Sequence, residues 1–412
     1  MGKVGKYCLV FFSLIAAYLA FMVIASLLPE ETVHRNVKRS VADIQREGNY
    51  GFVLMQYSDY QVDNFTDALM MATAWEIKSD SLRTALFENR YPNVGMDMSI
   101  GLQTVVDEVP YSTRPYPRYW HGNTFLMRLL LCFGNYSNIR FSLYVISSLV
   151  FVFACCLLYP RMGLPFTLLF FAAFVFMKIF VTQLSLQMVM CVLIAVIFSA
   201  FVCVKAESWH SLLLGFFITG SLTAFFDLFT TPLLTVGMPM VVFLIMNRKI
   251  QEKESLLKGY GKLASLSGLW LLGYAGTWIT KWTLSTVFTD TNIFADGFHQ
   301  VLRRSGARDD FSRMDAVFRN FDMFPWATFL TICLILIVLV IFFFNKKNIK
   351  TALLAFSLIL VPYIWFWIVS NHSYIHWWLA YRIQMIAIAS AFTGLAVLVD
   401  WDKIVLKRKS VV

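Results

Sequence analysis

Asp63 and Asp67 stand four residues apart in QVDNFTD. If a helix starts near Asn64, they lie about one turn apart and can face one cavity. A carboxylate there could take a proton from an acceptor hydroxyl or bind a divalent cation. The same spacing has a plainer use: Asn64 can cap that helix, with Asp67 in its positive first turn. Asp227 sits between apolar runs in AFFDLFTTPLL. An ionised group costs roughly 2.5–3.5 kcal/mol at mid-membrane and less near an end, so Asp227 needs a partner or a polar cavity. Lys178, Lys281 and Arg382 each fall near the same end of an apolar run. Snorkelling explains each one alone. A lipid phosphate would explain them together, and Arg382 could grip it with a bidentate fork. His372 and His376 are spaced i, i+4 but have no obvious third ligand. Hydrogen bonding to a diphosphate or a sugar therefore suits them better than zinc. Tyr119, Trp120 and His121 lie in RPYPRYWHGN. They read equally as a membrane anchor or as faces for a sugar ring. Arg303 to Arg319 could recruit an anion, but interleaved aspartates favour a solvated helix face.

The elements that must position these groups are membrane helices. The chain is 58% hydrophobic, well inside the membrane class. With roughly 20 apolar residues per span, about ten spans can be drawn: 7–28, 140–159, 164–181, 186–204, 210–228, 232–246, 263–281, 325–344, 351–370 and 379–399. The expected fold is an all-α polytopic membrane protein. It divides into a first transmembrane helix (1–28), an extracytoplasmic lobe (29–139), helices two to seven (140–281), a second extracytoplasmic loop (282–324), helices eight to ten (325–399) and a cytoplasmic tail (400–412). The first apolar run is too long for a usual signal peptide and lacks an A-x-A-like exit. Lys and Arg accumulate in one set of short loops, so the positive-inside rule puts both termini in the cytoplasm and the lobe outside. The net charge of +10 then reflects topology and anionic inner-leaflet lipid, not nucleic acid. No soluble segment carries a basic patch with interleaved aromatics. The seven cysteines show no disulfide framework and no zinc spacing.

Within the lobe, Val37, Val41 and Ile44 recur at helical spacing among charges, which predicts an amphipathic helix on the outer membrane surface. A second helix is expected from Asn64 through ALMMATAWEIK. Residues 79–117, punctuated by Pro and Gly, read as irregular. HGNTFLMRLLLCF reads as an interfacial helix. The second loop should form two short helices broken at Ser305-Gly306.

The segments QVDNFTDALM, RYWHGNTFLMRLLL, SLTAFFDLFTTPLLTVGMP, GYAGTWITKW and NHSYIHWWLAYR resemble the bacterial branch of the C-type glycosyltransferase superfamily, multi-span enzymes that use polyprenyl-phosphate-linked sugars. The resemblance implies a plasma-membrane enzyme that moves a sugar from a polyprenyl-phosphate lipid to an extracytoplasmic glycan, lipid or protein. It implies a catalytic carboxylate in the first outer loop, Asp67 or Asp63. Asp227, Lys281, His372, His376 and Arg382 would line the site beside Tyr119, Trp120 and His121. The spacing of four departs from a tight Asp-x-Asp pair, which leaves the identity of the base and any metal open. The competing readings are a transporter or lipid flippase, whose binding residues would lie near the midplane, and a non-catalytic envelope-assembly protein.

Overall fold

A computed structural model describes residues 2–78, 81–95, 97–306 and 311–404. Arg308, Asp309 and Asp310 of the second loop and Lys407, Arg408 and Lys409 of the tail lie outside the described residues. The molecule is mostly helical, with one two-stranded ladder pairing Arg90–Pro92 with Thr113–Pro115.

The expectation of ten spans is corrected. Six helices are long and apolar enough to cross a membrane: Val4–Leu27, Tyr136–Met162, Leu186–Lys205, Trp209–Phe226, Lys346–Ile368 and Trp377–Ala396. The pair Arg313–Phe321 and Trp326–Phe342, bent by 72°, makes a seventh if it counts as one span. Length removes two of the expected spans. Leu164–Phe176 and Leu234–Met246 have 13 residues each. They reach only about 20 Å, against a hydrocarbon layer of about 30 Å. Leu256–Phe288 is long at 33 residues, but its middle is diluted by Gly, Ser, Thr, Trp and Tyr. It still packs as a bundle member. Gly220 and Gly273 let its backbone approach that of Trp209–Phe226 so closely that a Cβ on either would strike the partner's backbone.

The lobe has its own core. Glu30–Glu47 starts on two glutamates and stops at Gly48, whose φ of 73° suits glycine. Its Val33, Val37, Val41 and Ile44 are buried against Met71, Leu102, Val105, Leu131 and Tyr136. The apolar stripe read from the sequence exists, but protein covers it, not a membrane surface. Asn64–Glu76 and Gly122–Leu131 form as expected. The segment read as irregular contains a helix, Met98–Val106, capped by the Asp97 carboxylate on the Ser99 and Ile100 amides. The second loop forms Ile293–Ser305 and Arg313–Phe321, parted at Gly306 as expected.

Buried polar contacts dock the lobe on the bundle. Asp67 is fully buried. Its Oδ2 accepts the Tyr136 hydroxyl at 2.6 Å and the Leu186 amide at 3.1 Å, and its Oδ1 accepts the Gln187 amide at 3.1 Å. Those two amides open the Leu186–Lys205 helix, so Asp67 supplies that helix with an N-terminal cap from another segment. Asp67→Ala leaves two helix amides unpaired and the Tyr136 phenol with only its longer bond to Asn64 Oδ1 at 3.3 Å. At about 1.5–3 kcal/mol per charge-assisted bond, with the losses not additive, the variant should melt at a clearly lower temperature in detergent by circular dichroism. An unchanged melt would remove Asp67 from the docking role.

Candidate functional site

At the lobe end of the bundle, the long helix Leu256–Phe288 carries an aromatic stripe, Tyr274, Trp278 and Trp282, at i, i+4, i+8. Opposite it, Gly297, Val301 and Arg304 form a stripe on Ile293–Ser305. Gly297 is required for that packing, because a Cβ there would lie 2.7 Å from the Trp282 ring. Arg118 and Tyr119 from the lobe, Phe229 from a turn, and Trp365, Ile368 and Val369 complete a cavity of about 430 Å³. That volume suits a ligand site.

The cavity is walled by apolar side chains and headed by two arginines. Arg118 pairs with Asp296 at 3.2 Å and lies 4.6 Å over the Tyr116 ring. Arg304 lies 4.9 Å over the Phe229 ring and 5.8 Å from that of Tyr119, and has no carboxylate partner among the described residues. Several buried polar atoms here have no hydrogen-bond partner among the described residues: the Tyr274 hydroxyl, the indole nitrogens of Trp278 and Trp365, His372 Nε2 and Asp227 Oδ2. Buried polar groups are nearly always paired, so the three exceptions that line the cavity, Tyr274, Trp278 and Trp365, suit a polar ligand there.

Asp227 ends the Trp209–Phe226 helix. Its Oδ1 is held by the Thr230 amide at 2.8 Å and by the Thr230 hydroxyl. The turn closes because Phe229 adopts a left-handed conformation with φ of 74°, unusual for a bulky residue. Asp227, Tyr119 and Arg304 all lie within electrostatic reach of the Tyr274 hydroxyl. His372 packs 5.1 Å from Phe229 and 4.7 Å from His376, ring centre to ring centre. Burial holds both imidazoles neutral: His376 falls to about 4, helped by Arg304, and His372 lies well below the ordinary histidine value.

The other residues singled out in the sequence are placed differently. Lys281 is buried and donates to the Leu86 carbonyl at 2.6 Å and to Asn89 Oδ1 at 3.0 Å. Arg382 is buried and donates to the carbonyls of Trp378 at 3.0 Å and Asp59 at 2.9 Å. Lys178 pairs with Asp59. These cations fasten lobe segments to the bundle and do not meet at one phosphate position. Trp120 donates its indole N–H to the Thr277 carbonyl at 2.7 Å. His121 Nε2 lies 2.7 Å from the Tyr116 carbonyl. Burial, with Lys281 nearby, pushes that imidazole down to about 3, so it stays neutral and braces the turn. Of the aromatic run, Tyr119 alone reaches the cavity. Asp63, not Asn64, caps Asn64–Glu76 through the Thr66 amide at 3.0 Å. Asn64 instead bonds Glu47, Gly48 and Arg140. Among the described residues no three His, Cys, Asp or Glu side chains gather to hold a metal. Of the expected residues Tyr119 alone lines the cavity; His372 packs on its Phe229 wall with His376 next to it, and Asp227 stands two residues before Phe229. Arg304, Tyr274, Trp278 and Trp365 join them from outside the expected set. A larger recess of about 910 Å³ at the opposite end is lined by Arg248, Lys249, Glu252, Asp400 and other charged residues of both signs.

No family model, curated protein or solved structure matches the chain. The fold defines a mostly helical protein with six to seven candidate membrane spans.

Burial raises Asp63 from its ordinary 3.8 to about 7, and the Asp67 charge adds to the rise. A carboxyl whose folded value lies above its unfolded value stabilises the fold at low pH and loses that contribution as pH rises through about 7. Asp63→Asn keeps a capping oxygen without the charge. The melting temperature of the native protein should therefore fall between pH 5 and pH 8 more steeply than that of Asp63→Asn. Parallel pH profiles for the two proteins in detergent would refute this.

Proposed function

We propose that the protein is a membrane glycosyltransferase that moves a sugar from a polyprenyl-phosphate donor to an extracytoplasmic glycan, lipid or protein. The base would be Asp227, in place of a first-loop aspartate. The carrying observation is the cavity itself: an apolar, aromatic channel headed by Arg118 and Arg304 and ringed by unpaired polar atoms. An isoprenoid chain matches the walls and a phosphate matches the arginines.

The roles follow from which groups are free. Asp67 has both oxygens engaged by helix amides and a phenol, and Asp63 is engaged as a cap. Asp227 keeps Oδ2 unpaired, with the Cys191 thiol as its neighbour. In the proposed reaction Oδ2 takes the acceptor hydroxyl proton as the acceptor oxygen bonds to the sugar's anomeric carbon. The bond from that carbon to the phosphate oxygen breaks, and its electron pair leaves with the lipid phosphate. Arg304 and Arg118 hold the departing charge. No step runs through a metal. The cavity lies at the lobe end, whereas a transporter usually binds near the midplane. Placing this end outside the cytoplasm rests on the positive-inside rule.

The purified protein, given a panel of polyprenyl-phosphate sugars and envelope acceptors, should release polyprenyl phosphate with one donor class. Asp227→Asn should cut turnover by about 100-fold or more, the usual contribution of a general base, and leave donor affinity intact. Arg304→Gln should weaken donor binding by about 10-fold or more. Full turnover by Asp227→Asn would exclude it as the base. Donor binding without turnover by the native protein would favour the non-catalytic assembly reading.

A further inference from the structure

The His372 and His376 pair has no use in that scheme so far. The His372 ring is buried and packs on Phe229 of the cavity wall, its Nε2 has no partner among the described residues, and the half-buried His376 ring lies behind it, 4.7 Å away. The charges brought against their helix, Ser370–Ile375, are mostly positive. Ile293–Ser305 brings Arg303, whose carbonyl accepts Asn371 Nδ2, and Arg304, which acts electrostatically on both imidazoles. Arg313–Phe321 brings Arg313, bonded to the Trp367 and Ile368 carbonyls, and Arg319, stacked on Tyr374 and Trp377. Its one acid here, Asp315, is bonded within that helix's own N-terminal cap. The preceding helix Val361–Ile368 contributes Tyr363, and the turn carrying Phe229 contributes Asp227. Trp377–Ala380 adds no ionisable side chain.

An imidazole beside the Arg304 guanidinium and largely removed from water stays neutral while the cavity is empty. A phosphate dianion beside Arg304 reverses that field. Resting on the lipid-phosphate reading above, we propose that His372 and His376 form a proton-linked phosphate clamp with Arg304: the pair takes up one proton as an isoprenyl phosphate binds and releases it when the phosphate leaves. The proton comes from solvent and sits on an imidazole nitrogen turned towards the phosphate. The site thereby gains a positive charge only when the anion is present. It does not have to hold a third buried cation when empty, which would be costly.

The test is calorimetric titration of the full-length protein in detergent with farnesyl monophosphate. It is run at pH 7.5 in two buffers of different ionisation enthalpy, with farnesol as the uncharged control. The native protein should take up about 0.5–1 proton per farnesyl phosphate bound, none with farnesol, and should bind the phosphate less tightly as pH rises from 7 to 8.5. That range lies above the ligand's own second pKa of about 6. His372→Gln and His376→Gln, singly and together, should bind with less uptake and a flatter pH dependence. Binding by the native protein without uptake overturns the clamp and leaves the lipid-phosphate reading standing. Equal uptake in the variants overturns the histidine assignment. No binding of either ligand overturns both readings. The native titration decides the matter even if a variant does not fold.

Discussion

The structure depends on docking a polar lobe onto an apolar bundle without leaving charges or helix ends unpaired at the seam. Asp67 meets that constraint most directly. Its carboxylate lies in the lobe, yet it completes the first turn of Leu186–Lys205 and holds Tyr136. The cations work in the opposite sense. Lys281 reaches from the bundle to a lobe carbonyl at Leu86, and Arg382 to one at Asp59. Within the lobe, Arg128 gathers the Ala74 and Ile77 carbonyls where Asn64–Glu76 ends. Each buried charge is thus matched to backbone dipoles that a helix end or irregular turn would otherwise leave open. Such matches are rigid, because withdrawing one partner strands the other in a dry seam.

That rigidity passes to the cavity. Trp120 is tied to the Thr277 carbonyl, and Trp282 to the Arg118 carbonyl at 3.0 Å. The lobe segment between them is therefore laid along the long helix. Gly122 fits under Phe225, where a Cβ would lie 2.5 Å from the ring. Arg118 and Tyr119 enter the cavity wall as a consequence of seam packing, not of a flexible loop. A site that must place a phosphate against two guanidinium groups benefits from such a base.

Much of this was legible in the sequence, and what was missed has physical causes. Apolar periodicity locates the bundle and the main lobe helices, but an apolar run does not show where its helix ends, and two of the runs form helices of 13 residues, too short to cross. The stripe of Val37, Val41 and Ile44 was correctly a face. Periodicity says nothing about whether lipid or protein covers that face. The clustering of ionisable residues near one end was also real, but sequence position could not separate groups fastening the seam from groups left free. Lys281 and Arg382 looked like phosphate ligands because a cation at a helix end reads the same either way. Interleaved aspartates hide Arg304 in the sequence. Its signal was its place at i+7 from Gly297, on the stripe that faces the cavity and not on the solvated side.

The distinction between fastened and free groups also bears on how Asp227 and Asp67 differ. Both are buried carboxylates at helix ends. Asp67 caps an N-terminus, where the helix dipole and two amides favour its charge and use up its lone pairs. Asp227 stands at a C-terminus, where the dipole is unfavourable to an anion. The local turn made by Phe229 and Thr230, with the Cys191 thiol beside it, supports the carboxylate there. A carboxylate held at the wrong end of a helix, with one buried oxygen unpaired two residues from the Phe229 wall of the cavity, is poorly explained by stability. Burial raises both carboxyls; what separates them is pairing, since Asp67 has both oxygens engaged in completing the fold and Asp227 has one oxygen without a hydrogen-bond partner.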